Sequence, residues 1–239
     1  MPALDLAGTE LEATAPPYIT LMASLPALPD IMAAKQTPIS RLRLEQRLRG
    51  LAPDDKALLD ELRSLLPWQH LALDESDADV VVRAERLVPR LPTAALRRAV
   101  VYRLEMRTVL AALRRRQRGE PAPGADMRWG YGRWTRTIAR SWQEPGLGVE
   151  RAFPWVRDAA EQLRAGDALA LESLLMRELW TMTGRHGAGH AFDFTAVALY
   201  ALRYQLVERR VAYDAEAATA RFRRLVDQGF AAFAARGPA

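Results

Sequence analysis

His186, His190 and Asp193 spell H-x-x-x-H-x-x-D, the arrangement in this chain of 239 residues that comes nearest to a metal site. Two imidazoles four residues apart converge on one ion only when a rigid helix points them together. Glycines at 184, 187 and 189 interrupt that stretch, so GRHGAGH, residues 184–190, is predicted to be a loop. A loop does not hold the pair in register, and no metal ligand is assigned. Asp193 is then the cap of the helix that follows. An uncharacterised metal protein or enzyme built on the 186–193 loop is the alternative, with His70 the only further histidine and no H-E-x-x-H in the chain.

Other catalytic chemistries lack their parts. There is no cysteine, and so no thiolate ligand, thiol nucleophile or disulfide. No G-x-x-x-x-G-K-[ST] occurs, and no G-x-G-x-x-G follows a strand; GYGRW at 130–134 is too short for either. Ser24, Ser40, Ser64 and Ser141 stand outside any G-x-S-x-G. Glu172 and Glu178 are out of phase on a helix and read as solvated surface. The expectation is a non-enzyme without catalytic residues, cofactor or metal.

Tryptophans at 129, 134, 142 and 155 alternate with arginines. Stacking rings and phosphate-neutralising guanidinium groups are what a single-stranded nucleic acid needs, provided both lie on one surface. Helical phase separates them here. Trp134, Ile138 and Trp142 share one face of a short helix, and Arg133, Arg136 and Arg140 share the other. Rings inward and guanidinium groups in water is the simpler reading, and a basic helical nucleic-acid-binding protein is kept as a further alternative. Arg133, Arg136 and Arg140 are the candidate partner-binding face.

These residues must be positioned by helices. Ser40 can cap a helix over RLRLEQRLR that stops at Gly50. Pro53 opens another, with Asp54 and Asp55 in its first turn and Leu58, Leu62, Leu65 and Leu66 on its apolar face. Val80, Val81 and Val82 leave a short strand-like segment near 79–88 open beside a short helix. Residues 94–117 carry the clearest pattern: Ala95, Ala99, Tyr102, Met106, Val109 and Leu113 form a seam along one helix. Arg97, Arg103, Arg107, Arg114, Arg115 and Arg118 lie off it. Gly119 and the loop EPAPGA follow. Leu171, Leu174, Leu175 and Met182 mark the next helix. Asp193 caps one carrying Val197, Tyr200, Ala201, Tyr204 and Val207, and Asp214 caps the last, with Ala218, Phe222, Leu225, Phe230 and Phe233. The fold class is all-α, a bundle of about seven to nine helices. Residues 1–17 read as a flexible tail ending in Pro16-Pro17. Residues 18–235 form one helical domain, divisible into halves 18–119 and 127–235 at the Pro/Gly loop.

The formal net charge is +5, and Lys35 and Lys56 are the only lysines. An arginine excess suits an anionic partner, and it also follows from GC-rich codons. The apolar run YITLMASLPAL, 18–28, is shorter than the ~18–20 residues of a membrane span. Asp5 and Glu10 stand where a signal peptide is basic. A cytoplasmic protein is expected.

YITLMASLPAL, then TPISRLRLEQRL and APDDKALLDEL, resembles the start of a bacterial family of uncharacterised helical proteins. That family opens with a tyrosine, L-x-A-S-L-P-x-L, P-x-I-S and an L-x-x-x-D-x-x-L-L segment. Its C-terminal signature is similar to FDFTAVALYALRYQLVERR (192–210) followed by DAEAATARF (214–222). Members are encoded beside the subunits of bacterial V/A-type ATPases. VYRLEMRTVLAALRRRQRG (101–119) also resembles a pattern in the C (or d) subunit of those enzymes, although Arg107 and Thr108 fall where Asn and Leu are usual. The resemblance implies a non-catalytic structural subunit of a V/A-type rotary ATPase, the central-stalk adaptor. Its implied partners are the central-shaft subunit and the membrane rotor ring, with no nucleic acid. Its implied place is the cytoplasmic face of the membrane, held there through the complex and close to lipid headgroups.

Overall fold

The computed structural model describes residues 17–66, 77–124 and 127–213. It is all-α. In chain order come α1 (Ile19–Ser24), α2 (Arg41–Leu48), α3 (Pro53–Leu65) and α4 (Asp77–Leu87). A 3-10 turn at Val88–Arg90 leads into α5 (Ala94–Gln117), followed by α6 (Thr135–Arg140), α7 (Val156–Ala165) and α8 (Ala168–Gly187). A last helix, α9, runs over 194–213. The tail over 1–16, His70 and the helix expected from Asp214 onward lie outside the described residues.

Helix starts follow local chemistry. Ser40 Oγ accepts the Arg43 amide at 3.4 Å, and Thr93 Oγ1 accepts that of Leu96 at 3.2 Å. Asp167 and Asp193 accept the Ala170 and Ala196 amides, each at 2.9 Å. Each side chain satisfies an amide that the first turn leaves without an intrahelical partner. Pro53 opens α3, with Asp54 and Asp55 in the first turn.

Two expectations are corrected. Residues 79–88 do not form a strand; they lie in α4 and the start of the 3-10 turn. Val80, Val81, Ala84 and Leu87 are the buried side chains of α4, a helical stripe, and packing of that stripe overrides the strand preference of the valines. GRHGAGH is also not wholly a loop, since α8 continues through Gly187. A Cβ on Gly187 would lie 3.3 Å from the Leu199 side chain, so the glycine lets the end of α8 approach α9. The amphipathic helix α7 was not anticipated: it has no side-chain cap, and its buried residues are only Val156 and Ala159.

The core divides into two clusters, and the division does not follow the loop after Gly119. Leu96, Val100 and Leu104 of α5 join Phe194, Val197 and Tyr204 of α9 in the first cluster, together with α2, α3 and α4. Met106, Val109 and Leu113 of α5 join Leu206 and Val207 of α9 in the second, with Ile138, Phe153 and the buried face of α8. Both long helices therefore run through both clusters. Burial on α5 is wider than a two-position seam: Arg103, Glu105 and Thr108 are also buried. Arg103, expected off the seam, donates to Leu66 O at 2.6 Å.

The first described residues are fastened to α9. The Tyr18 amide donates to Phe192 O at 3.0 Å. Tyr200 Oη donates to Pro26 O at 2.9 Å, and Tyr204 Oη to Ile39 O at 3.0 Å. The buried Tyr18 ring carries a hydroxyl that bonds Asp55 of α3 and accepts the Ala52 amide at 3.3 Å.

Candidate interaction surface

His186 and His190 are not assembled into a ligand set. His186 lies in the last turn of α8, where burial and then the Arg98 charge push its pKa below the usual imidazole value. His190 lies past the helix end, and its Nδ1 bonds the carboxylate of Asp193. The other oxygen of that carboxylate caps α9. Asp193 is thus a cap, as its position in the sequence implied. No group of three or more His, Cys, Asp or Glu side chains among the described residues is placed to hold a metal ion.

The tryptophans are mostly core. Trp129, Trp142 and Trp155 are buried and Trp134 is half-buried. Trp155 Nε1 donates to Tyr102 Oη at 3.2 Å, and that hydroxyl donates to Glu178 at 2.6 Å. Burial and the Glu178 carboxylate together raise the Tyr102 pKa far above the usual phenol range.

Arg133, Arg136 and Arg140 are all exposed, but only Arg136 and Arg140 lie on α6, opposite the fully buried Ile138. Arg133 precedes the helix, Trp134 is its N-cap and Trp142 follows its end, so the expected helical faces through all of them do not form. Their backbone is held firmly. The GYGRW stretch lies against α5 through two glycines. A Cβ at Gly130 would come within 2.4 Å of Thr108 Cγ2, and one at Gly132 within 2.3 Å of Glu105 Cγ. Thr108 Oγ1 accepts the Tyr131 amide at 2.8 Å, and Glu105 Oε1 accepts the Arg133 amide at 3.2 Å. Beyond the other end of α6, Arg116 donates to Trp142 O at 3.3 Å and to Pro145 O at 3.1 Å. Trp142 Nε1 donates to Glu120 O at 3.1 Å.

Glu105 is the residue that sequence reasoning passed over. Its signal was a carboxylate between Leu104 and Met106, the only acid in the arginine-rich α5. Burial raises its pKa above the usual carboxylate value, while the Arg133 amide, the Arg133 charge and the Trp134 side chain act in the opposite direction. The folded chain therefore holds this proton more tightly than the unfolded chain. Glu105 favours folding below its unfolded pKa, and that contribution is lost as pH rises through the raised folded value. Glu105→Gln keeps an acceptor for the Arg133 amide and removes the charge. Its melting temperature relative to the parent should rise as pH increases from the ordinary carboxylate range through the elevated folded value. Glu105→Ala leaves the amide without its acceptor and should lose about 1–3 kcal/mol. Thermal melts across that range check both, and a pH-independent difference for Glu105→Gln would refute the buried, charged carboxylate.

Comparison of the chain with protein-family models, with curated proteins and with solved structures gives no match. The surface presents three exposed arginines, with the Arg133 guanidinium over the Trp134 ring, and no ligand-holding cluster of acids or imidazoles lies among the described residues. Among the described residues no helix is long and apolar enough to cross a membrane.

Proposed function

We propose that this chain is a structural subunit of a bacterial V/A-type rotary ATPase, acting as the adaptor between the central shaft and the membrane rotor ring. One observation carries the reading. The two stretches on which the resemblance rests are parts of one assembly, since the tyrosines of the C-terminal signature reach the N-terminal one. Tyr200 bonds Pro26 of the A-S-L-P segment, and Tyr204 bonds Ile39 of the P-I-S segment. The Tyr18 amide bonds Phe192, the first residue of F-D. The signature positions thus specify one another structurally, as expected when a motif encodes a scaffold.

The architecture supports the same reading. An adaptor between a turning shaft and a ring must resist twisting, and α5 and α9 each pass through both core clusters. Close packing gives such a body low compliance. The segment 101–119, which resembles part of the C subunit, falls within α5 and the turn that ends it. An arginine-rich surface near anionic headgroups fits a place on the cytoplasmic side of the membrane.

The test is co-expression with the shaft and ring subunits. The tagged chain should recover the shaft subunit and hydrolyse no ATP alone. Deleting its gene should leave ATP hydrolysis by the catalytic head intact while abolishing ATP-driven ion pumping in membrane vesicles. Recovery of neither subunit, or pumping unaffected by the deletion, would reject the reading.

A further inference from the structure

We propose that the open cavity between the end of α5 and α7 binds a small carboxylic acid, its apolar group on the cavity floor and its carboxylate between Arg116 and Arg164. The inference rests on this cavity alone and stands whether or not the rotary-ATPase reading does.

The cavity has a volume of about 160 Å³. Leu113, Ala160 and Leu163 supply its apolar lining, and Arg116, Gln117 and Arg164 its polar one. Leu113 belongs to the second core cluster, and Ala160 and Leu163 pack against that cluster. The walls are fixed from within the chain. Gln117 Nε2 donates to Leu163 O at 2.7 Å, which ties the last residue of α5 to the last turn of α7. Arg116 Nη1 donates to Trp142 O and to Glu144 O, and its Nη2 donates to Pro145 O. A ligand therefore meets a site that is already ordered, which lowers the entropy lost on binding.

The two guanidinium groups are the selective feature. They come from different helices, and no carboxylate lines the cavity between them. Burial first, and then the Arg164 charge, push the Arg116 pKa below the usual guanidinium value. The same stretch of chain shows what such a pair takes. Arg115 and Arg118 hold the Glu120 carboxylate between them, at 2.9 and 2.6 Å. The cavity has two cations and lacks the acid. Arg116 can also still donate. A guanidinium carries five N–H groups. The loop carbonyls engage Nη1 twice and Nη2 once, which leaves Nε–H and one Nη2–H for a carboxylate.

Size and polarity choose the class of ligand. An engineered apolar cavity of about 150 Å³ holds one benzene, so a single compact ring or branched chain fills this one. A nucleotide or a long acyl chain is too large for it. A phosphate dianion would suit the guanidinium groups, but the leucine floor would take water from one side of it and return no hydrogen bond. A neutral apolar molecule would leave both cations unanswered.

The probe is benzoate, titrated into the full chain at low salt and followed by calorimetry. It should bind with a Kd of about 1 mM or tighter. Benzamide, of the same shape without the charge, and inorganic phosphate should each bind about tenfold or more weakly. Arg164→Glu should weaken benzoate binding about tenfold or more, and Arg164→Lys less than that. Ala160→Leu fills the cavity and should abolish binding. Arg164 is exposed, so its variants should melt with the parent, and they carry the test if Ala160→Leu does not fold. Acetylglycylleucine, a chain terminus with the same chemistry, is the remaining arm; tighter binding than benzoate would reject a free acid. No saturable binding of benzoate in the millimolar range, equal binding of benzamide or phosphate, or affinity untouched by Arg164→Glu would overturn the proposal.

Discussion

Met106→Asp should unfold the protein or lower its melting temperature by about 10 °C or more. Met106 sits on α5 with only 2% of its surface exposed, in the cluster with Val109, Leu113, Ile138 and Phe153. An aspartate there must bury a charge without a partner or protonate in an apolar site, and it also leaves a void where the thioether packed. The combined cost is about 4 kcal/mol or more, against the ~5–15 kcal/mol by which domains are stable. Two comparisons give the number meaning. Met106→Leu conserves volume and should cost less than about 1.5 kcal/mol. Arg107→Ala, one residue on, removes a part-exposed guanidinium 3.4 Å from Asp77 and should cost no more than about 1 kcal/mol. Chemical denaturation of the three variants is the measurement, and a Met106→Asp curve superposable on the parent's would refute the packing of α5.

Gly132→Ala carries the second large effect. Its φ is +100°, a conformation that side chains rarely adopt, which by itself costs about 1–3 kcal/mol. The added methyl would also stand 2.3 Å from Glu105 Cγ and 2.6 Å from Glu105 Oε1. Glu105 is buried and holds the Arg133 amide, so giving way breaks that contact. The expected loss is about 3 kcal/mol or more. Gly119→Ala separates the two causes. Gly119 also has a positive φ, +75°, but nothing lies within 4 Å of its added Cβ, so it should show the backbone cost alone. Equal losses at the two glycines, read from denaturation midpoints, would mean that the approach of the GYGRW stretch to α5 is not as described.

Legibility in the sequence tracked how local each cause was. Ser40, Pro53 and Asp193 act within one turn, and each marks the helix start that the sequence implied. On α6 the phase of Ile138 against Arg136 and Arg140 was legible, but Arg133, Trp134 and Trp142, expected on the same helix, fall outside it. What escaped depended on distant partners. The valines of α4 prefer strand until Ala84 and Leu87 complete a buried helical stripe. The glycines near His186 weaken a helix until Leu199 of another helix needs the room at Gly187. Glu105 and Arg103 look like solvated charges on a periodic helix. Their partners, the Arg133 amide and Leu66 O, lie 28 and 37 residues away in the chain. The exposure of Arg133, Arg136 and Arg140 was legible, whereas the footing of the GYGRW stretch on Glu105 and Thr108 was not.

The tyrosine bonds from α9 to the beginning of the described chain also bear on the order in which the protein is made. Pro26 and Tyr200 are 174 residues apart, and Ile39 and Tyr204 are 165 apart. A ribosome adds about 5–20 residues per second, so the segment around Leu25 spends roughly ten seconds or more outside the exit tunnel before α9 exists to cover it. During that interval Tyr18, Leu25 and the inner faces of α2 and α3 lack part of their wall, and α9 completes the first cluster only late in synthesis. Closing such a long loop delays the final packing step. Among the described residues, the short apolar stretch with its prolines at 26 and 29 is thus a portion of the nascent chain that waits long for its neighbours.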